Sequence, residues 1–264
     1  MGLKIEKLPV ANYMTPYPIS VKPEVSFQTV VNFMAERGIG NLVVSENATP
    51  MGILTEREIL QCAVSKESTE HKKVKDIGTQ PYIKITPDTS VLDATKIMIS
   101  KKSRLLVFAD SDKLVGIITA SDMVRAFRKT DKSPSLDNVV STKICTCSTH
   151  DTILDATKLM YEKKIGSVIV INGDKFGIFT ERDLLVHVLA NEVDMKGEVG
   201  GYSSWPLITA DKGVLANNAA SIMAANNIKR LGLVRNGSLV GIVTARDLVD
   251  AYQNAYPNLN PYLE

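Results

Sequence analysis

Cysteine is scarce in this chain of 264 residues, which carries only three. An odd number cannot all pair within one chain, and so few build no disulfide scaffold, which suits a reducing cytoplasm. Histidine is equally scarce, and His71, His150 and His187 stand alone, without a triad or metal-ligand spacing around them. Cys145 and Cys147 would point to one face of a strand and read as small packing residues. No apolar run approaches the ~20 residues needed to cross a bilayer. The opening "MGLKIEKLPV" lacks the apolar core of a secretory signal. Aromatics make up 6% and the net charge is only +2, so no stacking series or broad basic surface announces a nucleic-acid or membrane partner. The short basic clusters Lys72–Lys73–Lys75, Lys101–Lys102–Arg104 and Lys229–Arg230 read as solvated faces. These absences predict a cytoplasmic protein with no catalytic residues, no metal and no catalytic cofactor.

What is present is repetition. "GILTEREIL" at 52–60 returns as "GIITASDMV" at 116–124, "GIFTERDLL" at 177–185 and "GIVTARDLV" at 241–249. Gly52, Gly116, Gly177 and Gly241 are spaced by 64, 61 and 64 residues. Met34, Met98, Met160 and Met223 precede them by 18, 18, 17 and 18 residues, and "LDATK" recurs unchanged at 92–96 and 154–158. Such in-phase recurrence marks a fourfold repeat.

Each unit reads as β-α-β-β-α. A short strand such as "YIKIT" (82–86) or "ICTCS" (144–148) comes first. A helix follows, its buried stripe given by Val91, Ala94 and Met98, or by Ile153, Ala156 and Met160. Two β-rich runs come next, joined at Asn172–Gly173 and Asn236–Gly237 by hairpin-type turns. The second helix starts at the threonine, most clearly in "ERDLLVHVLANE". The polar stretches 66–75, 129–137 and 191–200 read as linkers. A unit of ~60 residues is near the lower limit for folding alone, so the four should pack together.

The threonine and the acid three residues on admit two readings. As helix grammar they form a capping box: the threonine caps the helix start and the acid reaches back to it. Thr55 with Glu58 suits this best; the other copies carry Thr119/Asp122, Thr180/Asp183 and Thr244/Asp247. The alternative is ligand binding. Helix-start N–H groups and a hydroxyl suit a phosphate, and a carboxylate one turn inside can hold a vicinal diol such as a ribose. Arg57, Arg182 and Arg246 stand directly before the acid and add positive charge.

The strand, helix, paired strands and G-h-h-T-x-x-D pattern (h, apolar) resembles the CBS domain, named after cystathionine β-synthase. The copies cover 10–66, 73–129, 135–190 and 198–254. The resemblance implies an α/β (α+β) fold in which copies pack pairwise into pseudo-twofold Bateman modules, copy 1 with 2 and copy 3 with 4. It implies clefts that bind AMP, ADP, ATP or, alternatively, S-adenosylmethionine. The ribose would meet Asp122, Asp183 and Asp247, and only weakly Glu58, whose longer arm displaces it. Phosphates would meet Thr55, Thr119, Thr180 and Thr244 and the nearby arginines. Arg104, at the start of its second strand, matches a position the family uses for phosphates; counting along the repeat gives Lys229 as its fourth-copy equivalent, with Gly40 and Gly166 in the others. The base would lie against Ile19, Ile83, Cys145 and Ile208, with Tyr82 beside Ile83.

With the four copies assigned, little is left over: about nine N-terminal residues and the C-terminal "AYPNLNPYLE". The expectation is a stand-alone regulatory nucleotide sensor, not an enzyme, signalling to an unknown partner and able to form a homodimer through its modules. The alternatives are a protein-interaction scaffold whose T-x-x-D motifs only cap helices and, ranked last, a nucleic-acid-binding protein.

Overall fold

The computed structural model describes residues 4–65, 68–130 and 132–256. Residue 66, the expected end of copy 1, and residues 257–264 of the C-terminal stretch lie outside the described residues, as do 67 and 131 within the expected linkers.

Each copy builds one small sheet. In copy 2, Tyr82–Ile85 pairs in parallel with Arg104–Ala109, which pairs antiparallel with Lys113–Ile118. The same order recurs through Ser20–Val21, Asn41–Glu46 and Thr49–Thr55 in copy 1. Copy 3 uses Thr146–Ser148, Ser167–Asn172 and Lys175–Thr180, and copy 4 uses Thr209–Asp211, Arg230–Arg235 and Ser238–Thr244. The middle strand is flanked on both sides and reads as a continuous apolar run, Leu105–Val107 or Val168–Val170, buried throughout.

The first helix of each copy lies between strands one and two: Phe27–Arg37, Val91–Ser100, Ile153–Glu162 and Ala216–Ala225. Ser26, Ser90 and Thr152 cap three of them, accepting from the N–H groups of Thr29, Asp93 and Asp155. The expected stripes are buried, with Val91, Ala94, Met98, Ile153, Ala156 and Met160 all at 2% exposure or less. The second helices are Glu56–Val64, Ala120–Phe127 and Ala245–Asn254 in copies 1, 2 and 4. Copy 3 departs from expectation. "ERDLLVHVLANE" makes one α turn, Glu181–Asp183, then a π turn over Leu184–Val188 and a 3-10 turn to Asn191. There Gln28 of copy 1 donates to the Leu189 carbonyl at 3.2 Å, satisfying a carbonyl at the disrupted end.

The chain divides into two compact units. One holds copies 2 and 4, formed by residues to 18, 82–143 and from 208; the other holds copies 1 and 3, formed by 19–81 and 144–207. Copies pack pairwise within each compact unit, and the two copies gathered there are alternate ones along the chain. The second helices explain this. Ala120–Phe127 packs on both helices of copy 4, and Glu56–Val64 packs on the helices of copy 3.

Each copy also receives the segment that leads into its neighbour in the chain. Thr15–Pro16 adds a fourth strand to the copy 2 sheet. Gln80 bridges Ile53 of copy 1, Ser141 bridges Ile242 of copy 4, and Ser204 bridges Ile178 of copy 3. In three of the four cases the docked residue lies four or five positions beyond a stretch read from sequence as a linker. The repeat glycines lie beneath them. A Cβ on Gly177 or Gly241 would sit 2.6 Å from the Trp205 ring or from Val140 Cγ1, and one on Gly52 or Gly116 closer still to Thr79 or Met14. The glycine of the repeat is there to let a second chain segment approach.

Candidate functional site

The threonine closes the third strand and the acid sits one turn into the second helix. Antiparallel register sets the threonine opposite the start of the second strand: Asn41 faces Thr55, Ser167 faces Thr180 and Arg230 faces Thr244. Across the parallel pair lies the first strand, whose Ile19, Tyr82, Ile83, Cys145 and Ile208 are all half-buried. The Ile19, Cys145 and Ile208 carbonyls accept from Val43, Ile169 and Gly232 at 2.9–3.0 Å, confirming that these positions are equivalent.

All four copies form the capping box. One acid oxygen accepts both the threonine N–H and its hydroxyl: 2.6 and 2.7 Å at Asp122, 2.8 and 2.7 Å at Asp183, 2.7 and 2.8 Å at Asp247. Glu58 receives the same pair from Thr55. The acids are buried, with Glu58 and Asp122 at 2% exposure and Asp183 at 6%; Asp247 is half-buried. Burial pushes the carboxyls of Asp183 and Asp247 up from the usual range, against the lowering effect of their threonine hydrogen bonds.

The second acid oxygen has a different surrounding in each copy. Gln80 Nε2 donates to Glu58 Oε1 at 2.7 Å. Arg125 and, at 3.4 Å, the Thr15 hydroxyl meet Asp122 Oδ1. Ser204 donates to Asp183 Oδ1 at 3.2 Å, with His187 Nε2 at 4.0 Å. Among the described residues, none donates to Asp247 Oδ1. Sequence reasoning missed Thr15, Gln80, Ser141 and Ser204 because they precede the first strand, where the readable pattern of each unit begins. Their signal was a polar residue three or four positions ahead of Ile19, Ile83, Cys145 and Ile208.

The basic residues divide. Arg57 pairs with Glu181 at 2.9 Å and donates to the Lys164 and Ile165 carbonyls. Arg182 pairs with Glu56 at 3.1 Å and donates to the Gly38 carbonyl at 2.9 Å. Each reaches from one copy to the C-terminal end of the other's first helix, where cations are favoured. Arg246 reaches the Met98 carbonyl at 3.5 Å. These contacts direct the three arginines toward the opposite copy of their own unit.

The equivalence of Lys229 with Arg104 is corrected by the strand register. Gly40, Gly166 and Lys229 all accept the first N–H of the second helix through their carbonyls. Arg104 is one place further on, opposite Tyr82, and its fourth-copy counterpart is Arg230. Counting back from the repeat glycine fails because the hairpins differ in length. Copy 2 has a 3-10 turn at Asp110–Asp112 where copy 4 has the two-residue Asn236–Gly237 turn.

Among the described residues no His, Cys, Asp and Glu group could hold a metal, and no helix is long and apolar enough to cross a membrane. Cys145 and Cys147 are half-buried, and burial raises the Cys147 thiol to about 11, leaving it protonated and inert.

The CBS domain matches residues 10–65, 74–129, 136–190 and 199–254 of this chain. Protein MJ1404 of Methanocaldococcus jannaschii is 28% identical over 262 residues, which is 91% of this chain and 61% of that protein. A 33.4 kDa protein of the ribosomal RNA operon of Thermofilum pendens is 30% identical over 191 residues, 67% of this chain and 62% of that one. The chain thus spans about three fifths of the length of these relatives. Among solved structures, protein MJ1225 of Methanocaldococcus jannaschii aligns with TM-score 0.76 at 18% identity, over 92% of this chain and 99% of that one. A Pyrococcus horikoshii protein aligns with TM-score 0.65 at 18% identity, over 93% and 100%. Both structural likenesses concern the fold alone.

Proposed function

The chain belongs to the CBS domain family, with four copies along its length, and on that premise we propose that it is a non-enzymatic regulatory protein that binds a nucleoside phosphate and signals to a partner protein. The base is adenine, as in AMP, ADP or ATP. The observation that carries this reading is the Thr244/Asp247 site. A half-buried carboxylate has one oxygen held by the cap and the other turned to no donor among the described residues. Arg230 stands directly opposite Thr244, and Ile208 offers an apolar surface on the first strand of the same sheet. Diol acceptor, cation and apolar wall are the three recognition elements of a nucleoside phosphate. MJ1225, one of the fold neighbours, is described as a candidate archaeal homologue of γ-AMPK.

Signalling requires that the ligand favour one arrangement of the chain or its complex over another. The test is a thermal-shift series with AMP, ADP, ATP, S-adenosylmethionine and GTP. Ligand at 100 times its Kd stabilises by about 2.7 kcal/mol, which corresponds to a rise of roughly 5–10 °C for a chain of this size. Absence of a shift with every adenine ligand at millimolar concentration refutes the reading. It would leave a scaffold whose T-x-x-D motifs only cap helices, a reading favoured by the complete capping box in all four copies.

A further inference from the structure

The four acids are alike in sequence, and their inner oxygens do the same thing. What separates them is what faces the outer oxygen. The docked segments bring Thr15, Gln80, Ser141 and Ser204 to one equivalent position, each opposite the isoleucine that follows a repeat glycine: Ile117, Ile53, Ile242 and Ile178. We propose that this position decides whether a copy can accept a ribose, and that copy 4 is the copy that does. The inference rests on the nucleotide reading above and assigns it to one place in the chain.

A carboxylate that grips a vicinal diol must accept from both hydroxyls. Its capping oxygen already accepts two hydrogen bonds, so the outer oxygen must supply most of the remaining capacity. In copy 1 that oxygen, on a buried glutamate one methylene longer than aspartate, accepts from the Gln80 amide at 2.7 Å. The amide imitates one hydroxyl of the diol and occupies its place. In copy 2 the Arg125 guanidinium neutralises the outer oxygen and Thr15 adds a hydroxyl. A ribose there would have to displace a charge-assisted bond, among the stronger hydrogen bonds a protein makes. In copy 3 the Ser204 hydroxyl takes the same oxygen at 3.2 Å.

Copy 4 differs. Ser141 holds its place by paired backbone bonds with Ile242, at 3.0 and 2.9 Å, yet no described residue donates to Asp247 Oδ1. This is also the copy in which two consecutive cations, Lys229 and Arg230, open the second strand; the corresponding pairs are Gly40–Asn41, Ser103–Arg104 and Gly166–Ser167. An open acceptor and a cation at the first position of the second strand coincide only here among the described residues. The ligand class is therefore a ribonucleotide with its 2′- and 3′-hydroxyls intact, bound at one site per chain.

Isothermal titration of the full chain with AMP and with ATP, and with 2′-deoxy-AMP as control, tests this. Expected are one site per chain, a loss of affinity of roughly tenfold or more for the deoxy ligand, and a similar loss in Asp247→Asn, the size of one hydrogen bond to a charged group. The asparagine retains an oxygen for the Thr244 N–H, and far-UV circular dichroism checks the fold. Asp122→Asn and Asp183→Asn should bind as the natural chain does. Ser141→Gln rebuilds in copy 4 the residue type that fills copy 1 and should also weaken binding. Binding that survives Asp247→Asn but is lost in Asp183→Asn, or a stoichiometry above one, overturns the assignment while the nucleotide reading stands. No binding of AMP or ATP by the natural chain overturns both.

Discussion

The two compact units fold the same repeat and hold it together with different chemistry. Where copies 1 and 3 meet, the residues after the site threonines are Glu56–Arg57 and Glu181–Arg182, and each arginine pairs with the other copy's glutamate. Copies 2 and 4 carry Ala120 and Ala245 at the glutamate positions. There the far ends of the second helices close on Phe127 and Tyr252, whose rings stack with centroids 4.0 Å apart and no exposed surface. The Tyr252 hydroxyl sits 2.9 Å from Thr130 Oγ1, so its burial strands no polar group. A pair of cross-braced charges gains little net stability, because desolvation offsets most of the attraction. It does fix which side chains point where. The arginines that sequence places beside a phosphate in copies 1 and 3 are held toward each other's helices, and the cations that open a second strand, Arg104 and Arg230, belong to the apolar unit.

The comparison breaks most visibly at the rings. Tyr252→Ala should cost the copy 2 and 4 unit about 3–5 kcal/mol, read by chemical denaturation. A loss under about 1 kcal/mol would show that the rings are not its keystone. Arg57→Ala removes one ion pair and two carbonyl contacts from the other unit. It should cost about 1–3 kcal/mol, discounted because the arginine is partly exposed. Exchanging the charges, Arg57→Glu with Glu181→Arg, should restore part of that loss, and a swap no better than the single variant argues against bracing.

A glycine pair sharpens the contrast further. Gly177→Ala meets the rigid Trp205 ring, whereas Gly116→Ala meets the flexible end of Met14. The first should cost about 1–2 kcal/mol and shift the fluorescence of the lone tryptophan; the second should cost less. Next in size is the cap. Thr180→Ala and Thr244→Ala should each lose about 1 kcal/mol, equal in both units because the box is the same in both. The smallest effect is on pH. The folded-state pKa of Asp183 and of Asp247 is raised by burial above the usual 3.8. Folded chains then bind protons more tightly than unfolded ones. The stabilisation is complete below 3.8 and lost as pH rises through the raised value. Asp183→Asn and Asp247→Asn should each flatten that part of the stability–pH curve, one in each unit.

Much of the site was legible beforehand because its grammar is local. Threonine and acid lie three residues apart on one helix turn, so their contact needs nothing beyond the helix itself. Ile19, Ile83, Cys145 and Ile208 fall at equivalent positions because strand order repeats. Arg230 was missed because hairpin length, which counting assumes constant, varies between copies. The fate of Arg57 and Arg182 was hidden for a stronger reason: their partners Glu181 and Glu56 lie more than 120 residues away.

The sequence alone therefore determined the repeated element: four β-α-β-β-α copies, their buried stripes, their capped helices and the glycine at the heart of each. These follow from periodicity and turn chemistry, which act over a few residues. Only the tertiary structure decided which copies share a core, which segment docks on which sheet, and which acid keeps an oxygen open. Those outcomes depend on which surfaces meet, and four nearly equivalent copies carry local patterns too similar to choose among themselves.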